Sequence, residues 1–354
     1  MEKMISMRIE QFGAPLQYAE TAISAPKAHE VLLRVLATGV CHTDLHLHDG
    51  GYDLGLGRSL SLAERGVSLP LTMGHEIVGQ VEQIGPAVQG IEPGQNYLIY
   101  PWLGCGTCAV CREGRENYCQ TPQTIGINRD GGYASHVMVP DGRCLVPIGQ
   151  LDPAKAAPLA CSGLTAFSVL KKIGLDRIRD EVVVVFGAGG LGLMFLQLLH
   201  GLGGKGAVVI EPHAQRAKAA LQAGALAVVD PRKGAVAKAV QQHLEQPVTS
   251  VVDFVGSPET AETAFDMLAK GGQLVCVGLY GGAANWPLPI LAIKAVNIQG
   301  SYVGSLPELK ELVELVRAHD LELIPVNTCS LAKAQQALDK LAQGQVIGRI
   351  VLTP

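Results

Sequence analysis

Four cysteines stand close enough in the chain to close a metal shell without help from the rest of it. Cys105, Cys108, Cys111 and Cys119 read C-x-x-C-x-x-C-x7-C, with Gly104, Gly106 and Gly114 interleaved so that the backbone can fold tightly around a centre. Four thiolates complete a tetrahedral zinc shell and leave no position for a substrate, as a structural ion requires. An iron–sulfur cluster also accepts four thiolates and stays open as a second reading. Unrelated buried cysteines would need four coincidences within fifteen positions. A nucleic-acid zinc module is disfavoured, because Arg112 and Arg115 are offset by Glu113 and Glu116.

A second set of soft ligands is scattered. Cys41-His42-Thr43-Asp44-Leu45-His46 and Gly74-His75-Glu76 each put a soft ligand beside a carboxylate, and Cys161 in Pro158-Leu159-Ala160-Cys161-Ser162-Gly163 offers another thiolate. Two thiolates and one neutral imidazole would leave the fourth corner of a zinc site open, with a net charge near zero. Such an ion acidifies bound water, and the same Lewis acidity would act on an alcohol. Spacing alone does not join these segments. A lone cysteine is usually a small buried hydrophobe, and a lone histidine is usually hydrogen-bonded in place.

Gly187-Ala188-Gly189-Gly190-Leu191-Gly192 is G-x-G-x-x-G, a weak motif in isolation. Here it follows four valines at 182–185 and opens an apolar run, the strand–turn–helix context in which backbone amides receive a dinucleotide pyrophosphate. Glu211 follows at the end of the next apolar segment, about twenty residues on, where an acid hydrogen-bonds the adenosine ribose hydroxyls. A carboxylate there repels a ribose phosphate, so NAD is favoured over NADP; His213 and Arg216 soften that preference.

The elements that must position these groups fall into two grammars. Up to about residue 150 short β segments alternate with turns: 30–37, 76–84, 97–100 and 133–139. Beyond 158, strands at 181–186, 207–210, 227–229, 250–254 and 273–277 alternate with helical runs such as 213–223 and 261–270, which predicts a parallel sheet with right-handed crossovers. Helices are expected again around 307–318 and 331–341. The chain has 354 residues, 48% hydrophobic and 17% charged, with a net charge of -4, so it should fold as two domains rather than stay disordered or bind nucleic acid through bulk charge. The uncharged run 182–204 is long enough to span a membrane, but its valines and glycines read as buried strand, turn and helix. Nine cysteines, an odd number, with no apolar run of signal-peptide length in Met1–Tyr18, suit metal binding in a cytoplasmic protein better than a disulfide framework.

Together these segments resemble the zinc-dependent medium-chain alcohol dehydrogenases, closest to the bacterial and archaeal NAD-dependent type. The likeness rests on CHTDLH at 41–46, LPLTMGHEIVG at 69–79, the four-cysteine lobe, APLACSGLTA at 157–166 and FGAGGLG at 186–192, and it runs to Gly348-Arg349-Ile350-Val351. It implies an α/β architecture: a doubly wound Rossmann sheet at 159–300, inserted in a mostly β, GroES-like catalytic domain made from 1–158, with a zinc lobe at about 100–120, and the returning segment 301–354. It implies two zinc ions per subunit, a structural one in the lobe and a catalytic one on Cys41, His75 and Cys161, with Asp44 holding the imidazole and Glu76 close behind the metal. Thr43 would receive the alcohol proton and His46 would pass it to solvent. His42 and Arg349 would lie near the pyrophosphate and Thr165 beside the nicotinamide, and Leu191 and Val277 complete the expected cofactor contacts with Gly187, Gly189, Gly190, Gly192, Glu211 and Arg216.

The implied reaction is reversible hydride transfer from a medium-chain or aromatic primary or secondary alcohol to NAD, giving an aldehyde or ketone. Polyol dehydrogenases of similar architecture commonly carry an acid where Cys161 stands, zinc-free quinone reductases would leave both metal sets purposeless, and a noncatalytic sensor would not need Thr43 and His46. No nucleic-acid or membrane partner is expected, and relatives suggest a homotetramer, with a homodimer as the alternative. The segment 273–277, read as the sheet edge, and 279–289 form the expected association surface. The connection between Cys41 and His75 is longer than in many relatives, with an amphipathic piece near 60–65; it is expected to wall the substrate pocket along with Trp102.

Overall fold

The computed structural model describes residues 3–319 and 321–354. Two sheets dominate. In the first, Val31–Val40 is the hub, an apolar ten-residue run buried on both faces for most of its length. It pairs antiparallel with Glu76–Ile84, with His136–Val139 and, at its C-terminal end, with Arg349–Thr353, which lies parallel to Val326–Ser330. The last strand of the chain therefore closes onto the first long one, and Val351 pairs with Gly39 two residues before Cys41.

The second sheet is parallel throughout, in the order Ala227–Val229, Ala207–Ile210, Val183–Phe186, Ser250–Asp253, Gln273–Cys276, Asn297–Gly300. Numbered along the chain, that is 3-2-1-4-5-6, the doubly wound order whose reversal between Val183–Phe186 and Ser250–Asp253 opens a crevice at the strand C-terminal ends. The valines at 183–185 are fully buried because helices cover both faces of such a sheet. The helix Gly190–Gly201 follows at once and packs against Ser162–Ile173.

Several elements depart from expectation. The segment 273–277 is not the sheet edge: Asn297–Gly300, missed because Asn and Gly dilute its strand character, pairs outside it. The strand expected at 133–139 begins only at His136, because Gly131, Gly132 and Tyr133 spend their amides on the carbonyls of Thr72, Gly74 and Met73. The helix expected from 261 starts earlier, at Pro258, where Ser257 and Thr260 form a reciprocal cap. In the long connection, Gly51–Gly55 and Arg58–Ser61 form a hairpin that was not anticipated, turned by Gly55 and Gly57 at φ of 74° and 72°. The strands Lys3–Ile9 and Gln17–Ala22 were not anticipated. Among the described residues, no helix is long and apolar enough to cross a membrane.

Candidate active site and metal centres

The lobe gathers its four sulfurs within 4.8 Å of one another. Cys108 Sγ lies 3.4 Å from Cys111 Sγ and 3.9 Å from Cys119 Sγ, and Cys105 Sγ lies 4.0 Å from Cys111 Sγ. The glycines have separate reasons to be there. A Cβ on Gly104 would stand 2.4 Å from Cys111 Sγ, whereas Gly106 and Gly114 hold φ of 74°, a region that side chains disfavour. Buried Glu116 braces the loop by accepting from Gly104 N at 3.1 Å and pairing with Arg143. Asn117 Nδ2 donates to Tyr302 O at 3.1 Å, so the lobe also holds a wall of the cleft described below.

The second site is assembled by the fold. Val31–Val40 ends at Cys41, which begins the helix His42–Asp49. His75 precedes the strand Glu76–Ile84, paired with Val31–Val40, and Cys161 lies at the start of Ser162–Ile173. Ligand atoms of Cys41, His75, Glu76 and Cys161 come within 4.8 Å of one another, and all four residues are buried. Cys41 Sγ and Cys161 Sγ are 3.9 Å apart. The hydrogen bond between them draws the Cys41 thiol well below its ordinary range and, with burial, pushes Cys161 well above.

Both ring nitrogens of His75, and Glu76 Oε2, are buried without a hydrogen-bond partner. Polar atoms left this way cost on the order of 1–3 kcal/mol each, and a divalent ion among two thiols and an imidazole would satisfy one of the ring nitrogens. The donor set fits zinc. Asp44 Oδ1 approaches His75 Nδ1 to 3.3 Å without the alignment of a hydrogen bond, while Asp44 Oδ2 accepts from Cys41 N at 2.8 Å and from the Tyr133 hydroxyl at 3.1 Å. That contact raises the His75 imidazole despite burial, which by itself lowers it. Glu76 is pushed up to about 8 by burial, opposed by Arg349, whose Nη2 donates to Glu76 Oε1 at 2.9 Å. Glu76 thus stands within the ligand group.

The neighbours are disposed unequally. Thr43 Oγ1 lies 3.8 Å from Cys41 Sγ. His46 stacks on Tyr52 with ring centres 4.6 Å apart, and burial lowers its imidazole. Trp102 packs its ring 5.3 Å from that of His75, donates Nε1 to Ala160 O at 2.9 Å and supports Tyr302 at 5.8 Å. It lies beneath the cleft lining rather than on it. That cleft, of about 420 Å³, is lined by Tyr52, Leu60, Ile127, Gly256, Leu279 and Tyr302 among others. The hairpin reaches across it, where Asp53 O accepts from Gly282 N at 3.2 Å. A separate cavity of about 230 Å³ around Glu181, Lys205 and His243 contains none of these groups.

The glycine turn sits at the sheet's switch point. Gly187 takes φ of 90°, and a Cβ on Gly192 would stand 2.0 Å from Gly187 O. A Cβ on Gly189 would enter open space, so its absence leaves a cradle for a close-lying phosphate. Leu191 opens the following helix, half-buried. Glu211 is buried and accepts from Ala188 N, His213 N and His213 Nδ1, each at 2.9 Å, leaving about one of a carboxylate's four acceptor positions for a ribose hydroxyl. Val277 N bonds to Asp253 O, and buried Thr165 lies one turn beyond Cys161, bonding to its carbonyl. His42 is exposed. Arg216 donates its Nη2 to Gly344 O at 2.9 Å.

Two contributors escaped the sequence reading. Tyr133 gave no signal beyond being an aromatic residue in a strand-like run. Gly39 stood in plain view before Cys41: a Cβ there would lie 1.9 Å from Glu76 Oε2, so the space that admits the carboxylate exists only because residue 39 has no side chain.

Family models agree with the two-sheet division. An alcohol dehydrogenase GroES-like domain matches residues 27–150, and a zinc-binding dehydrogenase domain matches 190–318. The NAD-dependent alcohol dehydrogenase of Saccharolobus solfataricus is 34% identical over 352 residues, 99% of this chain and 100% of that protein. The D-arabinose 1-dehydrogenase (NADP(+)) of the same organism is 30% identical over 100% of this chain and 99% of its own. The crystal structure of the alcohol dehydrogenase of Aeropyrum pernix superposes with a TM-score of 0.89 at 31% identity, covering 99% of this chain and 100% of that one. With its two metal-binding clusters and its dinucleotide turn in one fold, the chain belongs to the zinc-dependent medium-chain alcohol dehydrogenases.

Proposed function

We propose that the chain oxidises medium-chain or aromatic primary or secondary alcohols, and reduces the corresponding aldehydes or ketones, with the buried Cys41–His75–Cys161 cluster as its catalytic centre. The observation that carries this reading is the set of buried, unpartnered ligand atoms facing one another in the Cys41–His75–Cys161 group. When bound, zinc supplies the Lewis acidity that eases loss of the hydroxyl proton, and NAD supplies the hydride acceptor.

The chain's own residues supply the rest. Thr43 Oγ1 takes the proton at the mouth of the cluster, and His46 passes it toward solvent. Burial keeps the His46 imidazole neutral and so able to accept it. Asp44, fixed by Cys41 N and Tyr133, orients the His75 ring. Arg349 balances Glu76. Gly187, Gly189, Gly190 and Gly192 receive the dinucleotide, with His42, Arg349, Leu191, Thr165 and Val277 around it. Glu211 favours NAD, as in the first relative; the NADP+ enzyme among the relatives makes the cofactor comparison worth measuring. Tyr52, Tyr302 and the hairpin wall the cleft, with Trp102 behind them.

The domain limits are read as 1–158, 159–300 and 301–354, with the lobe closed by a structural zinc. The compartment is read as the cytoplasm. The chain is read as a homotetramer, with a homodimer the simpler alternative. Support comes from the outer strand Asn297–Gly300 and the adjoining helix Leu288–Lys294, whose Leu288 and Ile293 are 74% and 64% exposed. Light scattering reads that state. For the reaction, alcohol-dependent NADH absorbance on protein of known metal content is the test. Activity lost on chelation and restored by zinc is expected; oxidation that survives removal of every ion would overturn the assignment.

A further inference from the structure

The cleft walled by Tyr52 and Tyr302 is apolar for most of its lining, but it also carries an arginine with no counter-ion. Arg65 lies in the turn that follows the hairpin, exposed to solvent and lining the cleft. Among the described residues no carboxylate comes within ion-pair distance of its guanidinium, and that guanidinium donates no hydrogen bond. The same cleft is also lined by Asp53, whose Oδ1 accepts from Gly55 N at 2.8 Å and which makes no ion pair with Arg65.

The arginine also has a definite position relative to the chemistry. Two rows of rings lead outward from the metal cluster, His75 to Trp102 to Tyr302, and His46 to Tyr52. Both end in rings, Tyr302 and Tyr52, that line the same cleft as Arg65. Between the two ends the lining is aliphatic, from Leu60, Leu62, Val67 and Ile127. A ligand filling the cleft would meet Tyr52 and Tyr302, the rings that back onto His46 and Trp102, an aliphatic lining, and a planar, permanently charged donor in Arg65.

Resting on the reaction proposed above, we propose that the preferred substrates are alcohols, or their aldehydes, whose apolar body carries a carboxylate at the end remote from the hydroxyl, with Arg65 as the residue that selects the carboxylate. A guanidinium pairs with a carboxylate through two parallel hydrogen bonds, which an uncharged chain end does not form. The pair is solvent-facing, so its contribution is modest and sensitive to salt.

The test compares ω-hydroxyalkanoates of increasing chain length with the 1-alkanols of matching length, in NADH formation by the zinc-loaded enzyme. At low ionic strength the carboxylates should show kcat/KM about threefold to tenfold higher at the length that spans the cleft, carried by KM. Arg65→Ala should abolish that preference while the 1-alkanols keep their kcat, Arg65→Lys should restore part of it, and added salt should erode it in the wild type alone. Equal kcat/KM for the two series, or an Arg65→Ala loss shared by both, overturns the proposal while the reaction stands. Failure to oxidise either series overturns the reaction and the proposal together.

Discussion

The two cysteine clusters of this chain are built by opposite routes. The lobe draws four ligands from fifteen consecutive residues, and its centre lies near the surface with Cys105 exposed. The second cluster draws Cys41, His75 and Cys161 from segments that only the tertiary fold unites, and it is wholly buried. A local cluster can close on itself and be spared any demand from the rest of the protein. A dispersed one ties its ligand geometry to the pairing of Val31–Val40 with Glu76–Ile84 and to the packing of Ser162–Ile173, so the fold can hold a coordination position open.

The largest expected effect separates the two. Cys161→Ala should remove one ion of two and lower turnover about a thousandfold or more, since the ion's charge stabilisation amounts to several kcal/mol at about 1.36 kcal/mol per decade. The lobe should keep its metal. Cys111→Ser should do the reverse: the buried cluster stays loaded, the lobe opens to proteolysis within 105–119, and thermal stability falls by several kcal/mol. Because Asn117 holds Tyr302, any kinetic change in Cys111→Ser should appear in KM before kcat. Elemental analysis, limited proteolysis and the kinetics of the two variants read this contrast. It breaks if Cys161→Ala keeps both its turnover and its metal.

The same contrast explains what could be read from the sequence. The lobe was legible because spacing carries its geometry, and the glycine turn because its valine strand and apolar helix flank it directly. The buried cluster was legible only through family likeness, since nothing in the run from Cys41 to Cys161 states that three points converge. Glu76, expected close behind the metal, has a carboxylate oxygen within 4.8 Å of the other three ligand atoms, and the missing side chain of Gly39 makes room for its Oε2. Asn297–Gly300 escaped because edge pairing, not composition, makes it a strand. Arg216, expected at the cofactor from its place in the sequence, also ties itself to the returning segment through Gly344 O.

Smaller effects sharpen the comparison by touching the buried cluster alone. Asp44→Asn keeps the shape but loses the carboxylate that faces His75 Nδ1, and outer-shell changes of this kind cost about 10–100-fold in metal affinity. Competition with a chelator of known affinity should show the loss there and none in the lobe. Gly39→Ala should act on the same cluster by steric means, expelling Glu76 Oε2 and breaking its neighbour bond to Arg349. Equal chelator resistance in wild type and Asp44→Asn would mean that the His75 ring is held by packing against Trp102 alone.

The smallest effect concerns how the buried site communicates with water. Burial lowers the His46 imidazole, and Cys41 and Asp49 only partly oppose that. Its folded pKa therefore lies below the ordinary value of about 6.5, and the unfolded chain binds the proton more readily. Acidification through the interval between the two values should weaken the fold, and stability should recover as pH rises through it. Alcohol oxidation should follow with an acid limb below the ordinary imidazole range, because a protonated His46 has no lone pair to take the proton from Thr43. His46→Gln should remove that limb and cost about tenfold in kcat, at the low end of proton-transfer effects because solvent can substitute at the cleft. The lobe, which has no such group in its path, should titrate identically in both proteins. A wild-type profile without the acid limb would take His46 out of the proton path and leave Thr43 to exchange directly with water.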